Sequence, residues 1–235
     1  MKPTRNIIIA VDGHSSCGKS TVAKQVARAI GIAYIDTGAM YRAVTLFALR
    51  HGLMDGNQPN ALAIEQHLNE VHISFDFDQQ AGRNTTFLND ENVEDQIRNM
   101  EVSSHVSAVS AIPAVRAKLT EWQRQMAQSK SVIMDGRDIG TAVFPNADLK
   151  IFMTARPEVR AQRRYDELTA KGQTVNFDEI LKNVEERDYI DSHRAVAPLR
   201  QSPDALLLDN SDLTIAEQKA WLMEQFKART AGASL

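Results

Sequence analysis

Residues 13–20 read Gly13-His14-Ser15-Ser16-Cys17-Gly18-Lys19-Ser20, with Thr21 behind them. Two glycines five positions apart, then a lysine and a hydroxyl residue, make the pattern of a loop that wraps a phosphate. Gly13 and Gly18 allow backbone conformations closed to residues with a Cβ, so successive N–H groups turn inward on an anion. Lys19 places an ammonium against the outer phosphates of a nucleoside triphosphate, and Ser20 offers a hydroxyl to Mg²⁺. A helix has to follow, since its N-terminus adds positive dipole at the same point. Both flanks comply. Ile7-Ile8-Ile9-Ala10-Val11 is an apolar run fit for a strand buried on both faces, and Val22, Val26, Ala27 and Ile30 recur at helical spacing.

Working outward, the 235-residue chain is 43% hydrophobic, enough for a full core in one α/β domain with insertions. A net charge of −3 gives no overall pull toward nucleic acid or anionic membrane, so neither is an expected partner. The single Cys17 excludes an internal disulfide and suits a reducing, cytoplasmic setting. The apolar run behind the basic residues 1–6 ends at Asp12, too short for a signal peptide or a membrane span. The six histidines show no metal-ligand spacing.

Further strands are expected at 32–35, 131–135, 150–153 and 205–209, each short and apolar. A helix beginning near Ala39 carries Met40, Val44 and Phe47 inward and Tyr41 and Arg42 in its first turns. From 57 to about 101 the character changes. Ile73, Phe75 and Phe77 alternate with Ser74, Asp76 and Asp78, a half-buried strand; Gln79–Asn84 reads as a turn and 85–88 as the returning strand. Such an antiparallel piece is an insertion, an expected lobe that closes on a second substrate. Helices are expected at 94–109 and 114–128, with Val115, Leu119, Trp122 and Met126 as a core stripe. Another, carrying Trp221, Leu222 and Phe226, closes the chain, and the tail 230–235 is expected to fray.

The strand at 131–135 ends in Asp135, an acid placed to complete a Mg²⁺ site beside Ser20. Gly136-Arg137-Asp138-Ile139-Gly140 follows at the strand's carboxyl end, where open α/β sheets bind ligands. The helical stretch after residue 155 carries Arg156, Arg160, Arg163 and Arg164, and continues through Arg187, Asp191 and Arg194. Between 156 and 200, seven Arg and two Lys face nine acids, so the segment is neutral and not a nucleic-acid patch. Arg forms bidentate phosphate contacts, which fits a mobile cover over a triphosphate; intrahelical ion pairs are the plainer alternative. A GTPase switch is disfavoured, because no Asn-Lys-x-Asp occurs. A non-catalytic nucleotide-binding regulator leaves the insertion and the arginines unexplained.

Asp36-Thr37-Gly38-Ala39-Met40-Tyr41-Arg42, Asp135-Gly136-Arg137-Asp138-Ile139-Gly140 and Arg194-Ala195-Val196-Ala197-Pro198-Leu199 resemble the signature segments of the bacterial cytidylate kinases. The resemblance runs from about Ile7 to Phe226. His14 stands where that family has Pro, Cys17 where it has a smaller residue, and Thr37 where many members have Ser. The resemblance implies a three-layer nucleoside-monophosphate-kinase fold on a five-stranded parallel sheet, with a small antiparallel lobe that binds the monophosphate and a helical, Arg-rich lid. It implies a single domain: a core of about 5–56, 102–155 and 201–229, the lobe at about 57–101 and the lid at about 156–200. It also implies transfer of the ATP γ-phosphoryl group to CMP or dCMP with Mg²⁺, by a monomer.

For the residues it implies the following. Gly13, His14, Ser15, Ser16, Cys17, Gly18, Lys19, Ser20, Thr21, Arg160 and Arg163 bind ATP. Ser20 and Asp135 hold the metal, and Lys19, Asp135 and Arg137 serve catalysis. Arg42 and Arg137 hold the CMP phosphate, with Thr37 and Tyr41 beside them. Ser107, Arg116, Asp138 and Arg194 meet the cytosine, and Arg187 and Asp191 the sugar.

Overall fold

Ile9, Ala10 and Val11 are at most 1% exposed because their strand lies at the centre of a sheet. A computed structural model of the chain describes residues 6–78 and 83–230. In chain order its elements are β1 (Ile8–Gly13), α1 (Lys19–Ile30), β2 (Ala33–Asp36), α2 (Thr37–Arg50), β3 (Met54–Asp55), β4 (Gln58–Pro59) and α3 (Ala61–His67). Then come β5 (Ile73–Asp78), β6 (Arg83–Leu88), β7 (Glu91–Asn92), α4 (Met100–Ser110), α5 (Pro113–Met126) and β8 (Val132–Gly136). The chain continues with β9 (Leu149–Thr154), α6 (Pro157–Ala170), α7 (Phe177–His193), β10 (Leu206–Asp209) and α8 (Ile215–Thr230). The chain divides into two compact units, Met1–Asp36 with Gln123–Leu235, and Thr37–Trp122.

The first unit holds the five-stranded sheet, ordered β10-β9-β1-β8-β2 with every pair parallel. Ile9 sits between Ile133 of β8 and Leu149 of β9. Side chains alternate across the pleat. Ile9, Val11, Ile133, Ile151 and Met153 join Val22 and Val26 of α1 and Leu222 and Phe226 of α8 in one apolar cluster. Ala10, Ile35, Val132 and Met134 join Ile139 and Val143 in another. Each large side chain so buried is worth about 1.5–3 kcal/mol, well above any helix propensity, so the stripe at 22, 26, 27 and 30 decides where α1 lies. No described helix is long and apolar enough to cross a membrane.

The second unit is built on α2, whose Met40, Val44 and Phe47 are buried as expected. α2 starts at Thr37, two residues earlier than the sequence suggests, so Gly38 lies inside it. β5 and β6 pair antiparallel from Ile73↔Leu88 to Asp78↔Arg83, and β7 adds a third strand. The centre of the turn expected at 79–84 lies outside the described residues, as do 1–5 and 231–235. The small pair β3–β4 and α3 fill a stretch that the pattern left unassigned.

Two helices differ from expectation. The helix read over 94–109 is instead a single turn at Gln96–Arg98, then α4 from Met100. Asn99 is extended and its side chain accepts from Val102 N, which restarts the helix. Glu94 meanwhile accepts from Thr86 and Arg98 and stays outside it. The Arg-rich stretch is two helices, separated at left-handed Gly172 (φ 76°), with Asn176 capping α7 through Asp178 N and Glu179 N.

Candidate functional site

The loop at the carboxyl end of β1 takes its shape from its glycines. Gly13 has φ 149°, and a Cβ there would stand 1.9 Å from the Met153 carbonyl oxygen. Gly18 is left-handed (φ 86°) and opens α1, and Ser16 (φ 58°) supplies a third inward turn. Ser15 and Cys17 are buried, while Thr21 is exposed on the first turn of α1. Cys17 Sγ reaches the Met153 carbonyl at 3.6 Å.

Lys19 is buried, and its ammonium donates to the carbonyls of Gly13 (2.9 Å) and His14 (2.6 Å). Burial, with Arg137 nearby, holds its pKa below the ordinary lysine value. Ser20 Oγ donates to Asp135 at 2.7 Å, and Tyr34 donates to its other oxygen at 2.8 Å. Burial and the neighbouring Asp36 push the Asp135 carboxyl up. Such a buried acid, joined to a hydroxyl and flanked by a second acid, is a hard oxygen donor set. That chemistry fits Mg²⁺, which takes few protein ligands and completes its shell with water and substrate phosphates.

Arg160 and Arg163 brace this loop. Arg160 donates to Ala155 and Ser15 carbonyls (2.8 and 3.3 Å) and pairs with Asp188 of α7 at 2.6 Å. Arg163 grips Asn210 at its side-chain and backbone oxygens. Asn210 in turn donates to the Cys17 carbonyl at 2.7 Å. Arg156, expected within the helical stretch, lies just outside it: it precedes α6 and pairs with Asp212. Arg164 makes the plainer intrahelical pair with Glu167. His14 lies edge-on to Phe152, its Nδ1 has no hydrogen-bond partner among the described residues, and burial holds its pKa down.

Beyond β8, Arg137 pairs with Asp191 at 2.9 Å. Arg194 approaches Asp138 at 3.5 Å and Asp191 at 3.9 Å. Arg187 lies buried nearby with its Nε unpartnered, and burial, then Arg137, lowers its pKa to about 10. Burial works against ionised Asp191, but Arg137, Arg187 and Arg194 together hold its pKa below the usual carboxylate range. The unit thus gathers five expected substrate residues, Arg137, Asp138, Arg187, Asp191 and Arg194, into one buried cluster of guanidinium and carboxylate groups.

The remaining expected residues belong to the Thr37–Trp122 unit. Thr37 and Tyr41 are buried on the first turns of α2. Arg42 donates to the Ile97 carbonyl and Ser103 Oγ, both at 3.0 Å. Arg116 lies with its guanidinium 5.4 Å from the Tyr41 ring centre and donates to the Ser110 carbonyl. Buried Ser107 Oγ has no hydrogen-bond partner among the described residues.

Sequence reasoning missed three residues. Asp188 and Asn210 carry no local signature, because each acts on a partner far along the chain. Asp12 does carry one, as the lone acid in an apolar strand, yet it reads simply as the strand's end. Its two oxygens accept from Ile139 N and Gly140 N, both at 2.7 Å.

The fold and the sequence both have counterparts among known proteins. A solved structure of an uncharacterized protein from Eubacterium ventriosum shares the fold, with a TM-score of 0.50 at 12% identity over 95% of this chain and 99% of that one. A protein of Phocaeicola vulgatus named cytidylate kinase is 56% identical over 97% of this chain and its own full length. One of Porphyromonas gingivalis with the same name is 56% identical over 97% of this chain and 99% of its own. The family model described as cytidylate kinase matches residues 9–228, and this chain belongs to the cytidylate kinase family.

Proposed function

We propose that the chain transfers the γ-phosphoryl group of ATP to CMP and dCMP, giving ADP and the diphosphate. The observation that carries the transfer is the buried Lys19 ammonium in the loop that also aims Ser20 at Asp135. The family and its two similarly named relatives support the acceptor. Phosphoryl transfer through a loose transition state needs alignment and charge neutralisation more than proton transfer. Lys19 and Arg137 supply fixed positive charge from largely buried positions, where charge acts most strongly. No general base is assigned. Bound Mg²⁺, held by Ser20 and Asp135, supplies further neutralisation of the phosphate charge.

Asp138 and Arg194 are assigned to the base. Cytosine offers an amine at N4, which a carboxylate accepts, whereas uracil presents an oxygen there. Arg187 and Asp191 are assigned to the sugar, and Arg137 to the monophosphate. Thr37, Tyr41, Arg42, Ser107 and Arg116 are assigned to the same nucleotide, Arg42 to its phosphate and Ser107 and Arg116 to its base. The 57–101 lobe and the 156–200 lid are read as the moving parts of a monomer working in a reducing, cytoplasmic setting.

ADP release measured with AMP, GMP, CMP, UMP and dCMP tests the proposal. CMP and dCMP should lead; turnover led by a purine monophosphate would overturn it. Asp138→Ala should narrow the CMP-to-UMP ratio of kcat/KM by at least about tenfold, equal to about 1.4 kcal/mol. An unchanged ratio would remove Asp138 from base recognition.

A further inference from the structure

Asp138 begins the wide turn Ile139–Val143, the position from which an acid ordinarily caps its own turn. It does not do so, for no side-chain cap bond comes from Asp138. Two of the first-turn N–H groups, those of Ile139 and Gly140, are instead taken by Asp12, one on each carboxylate oxygen at 2.7 Å. Asp12 comes from the neighbouring strand: it pairs with Gly136 of β8 and is followed directly by Gly13 of the phosphate loop. Asp138 keeps only its backbone carbonyl in the turn, accepting from Ala142 N and Val143 N, while its side chain faces Arg194. Gly140 leaves room for this approach: a Cβ there would stand 3.3 Å from Asp12 Oδ2 and 3.1 Å from the Lys150 side chain, so both would have to yield slightly.

We propose that Asp12 is a positioning residue for base recognition: it caps the 139–143 turn in place of Asp138, so that the Asp138 carboxylate is turned toward Arg194 and the cytosine. This rests on the assignment of Asp138 to the base made above. An acid capping its own turn has its oxygens occupied by N–H groups and aimed down the turn. Transferring the cap to another strand separates the two tasks, turn closure to Asp12 and recognition to Asp138. The same bonds tie the phosphate loop to the acceptor loop, because Asp12 and Gly13 are adjacent. The surroundings show that Asp12 is held for this purpose at a cost. It is buried, and burial, offset by the two N–H bonds and raised further by Asp138, brings its pKa up to about 7. The charged groups facing it are Asp138 and Lys19, while the Lys150 ammonium turns away to Asp204.

Asp12→Asn tests the inference, because the isosteric amide keeps one acceptor and sets an NH₂ against the other N–H. The expected result is a CMP-to-UMP ratio of kcat/KM narrowed at least about fivefold, with KM for ATP within about threefold of wild type. A purely structural role would lower thermal stability and leave that ratio unmoved, and this outcome would overturn the proposal. A second measurement needs no variant. In the unaltered protein, the Ile139 and Gly140 amide resonances should titrate together with a midpoint near 7, and the CMP-to-UMP ratio should rise through the same midpoint. The ratio cancels the ionisation of the nucleotide phosphate, which both substrates share. Amides that titrate beside a flat ratio, or that do not titrate, would overturn the proposal. Wild-type protein that fails to turn over CMP would instead remove the functional reading, a separate result.

Discussion

In the function proposed above, Lys19 is the residue on which phosphate binding most directly turns. Its ammonium rests on two carbonyls of its own loop, and those carbonyls can take water when it is removed. Lys19→Ala should therefore lower kcat at least about a hundredfold while the melting temperature shifts by less than about 5 °C. Near-normal turnover in the folded variant would sink the phosphate-loop reading. Residues of this kind were legible because their partners lie within eight positions, so spacing alone encodes the geometry. Asp12, Asp188 and Asn210 were not: their partners stand 127, 28 and 193 positions away. Asp135 lies between these cases. Its place at the end of an apolar strand was legible, but its bond to Tyr34 was not, since nothing in Ile32-Ala33-Tyr34-Ile35 marks one side chain for the strand beyond.

At the scale of the element, β1 and β9 meet most tightly where Gly13 pairs with Met153. Gly13→Ala places a Cβ against backbone oxygen at 1.9 Å, with both strands fixed in the sheet. Its left-handed φ of 149° is strained for alanine as well. A loss of at least about 2 kcal/mol in denaturant unfolding is expected, and a wild-type midpoint would show that the sheet yields there. Helices α6 and α7 invite a different measurement. Arg160 and Asp188 join them, and Arg163 and Asn210 fasten α6 to the loop, so nucleotide binding should tighten the whole stretch. Amide exchange in 156–195 should slow when CMP and a non-hydrolysable ATP analogue are added together; unchanged rates would make the segment fixed scaffold. Strands were the most legible elements, because an apolar run buried on both faces has few alternatives. Helix starts were less so: Asn99 and Asn176 act as caps only once the chain around them is extended, which composition does not announce.

Across the whole molecule, buried acids set the response to pH. Folding raises Asp12 from its ordinary 3.8 to about 7, so the folded chain holds a proton that the unfolded chain releases in that window. Its contribution to stability is complete below about 3.8 and is lost as pH rises through about 7. Asp12→Asn should flatten that part of the melting-temperature profile, and a parallel profile would show that Asp12 ionises freely. Asp204, brought down to about 2 by Ser202 and Lys150, acts in the opposite sense, and its contribution fades only in stronger acid.

Sheet order also carries a consequence for how the chain is made. Among the described strands of the sheet Ile8–Gly13 is made first, yet it pairs with Val132–Gly136 and Leu149–Thr154, and Ala33–Asp36 pairs with the former. The intervening Thr37–Trp122 unit is one unbroken length of chain, compact in itself. Roughly 120 residues separate the first strand from its earliest partner, which at about 5–20 residues per second is roughly 6–24 s of synthesis. For that interval a strand that is apolar from Ile8 to Val11 stays on the nascent chain without its sheet neighbours, open to chaperones and to other copies of itself. Pulse-labelled refolding of the full chain should accordingly protect amides of 37–122 before those of 8–13. Of the sheet's strands, the one that leads into the Gly13–Ser20 loop is synthesised first and paired late.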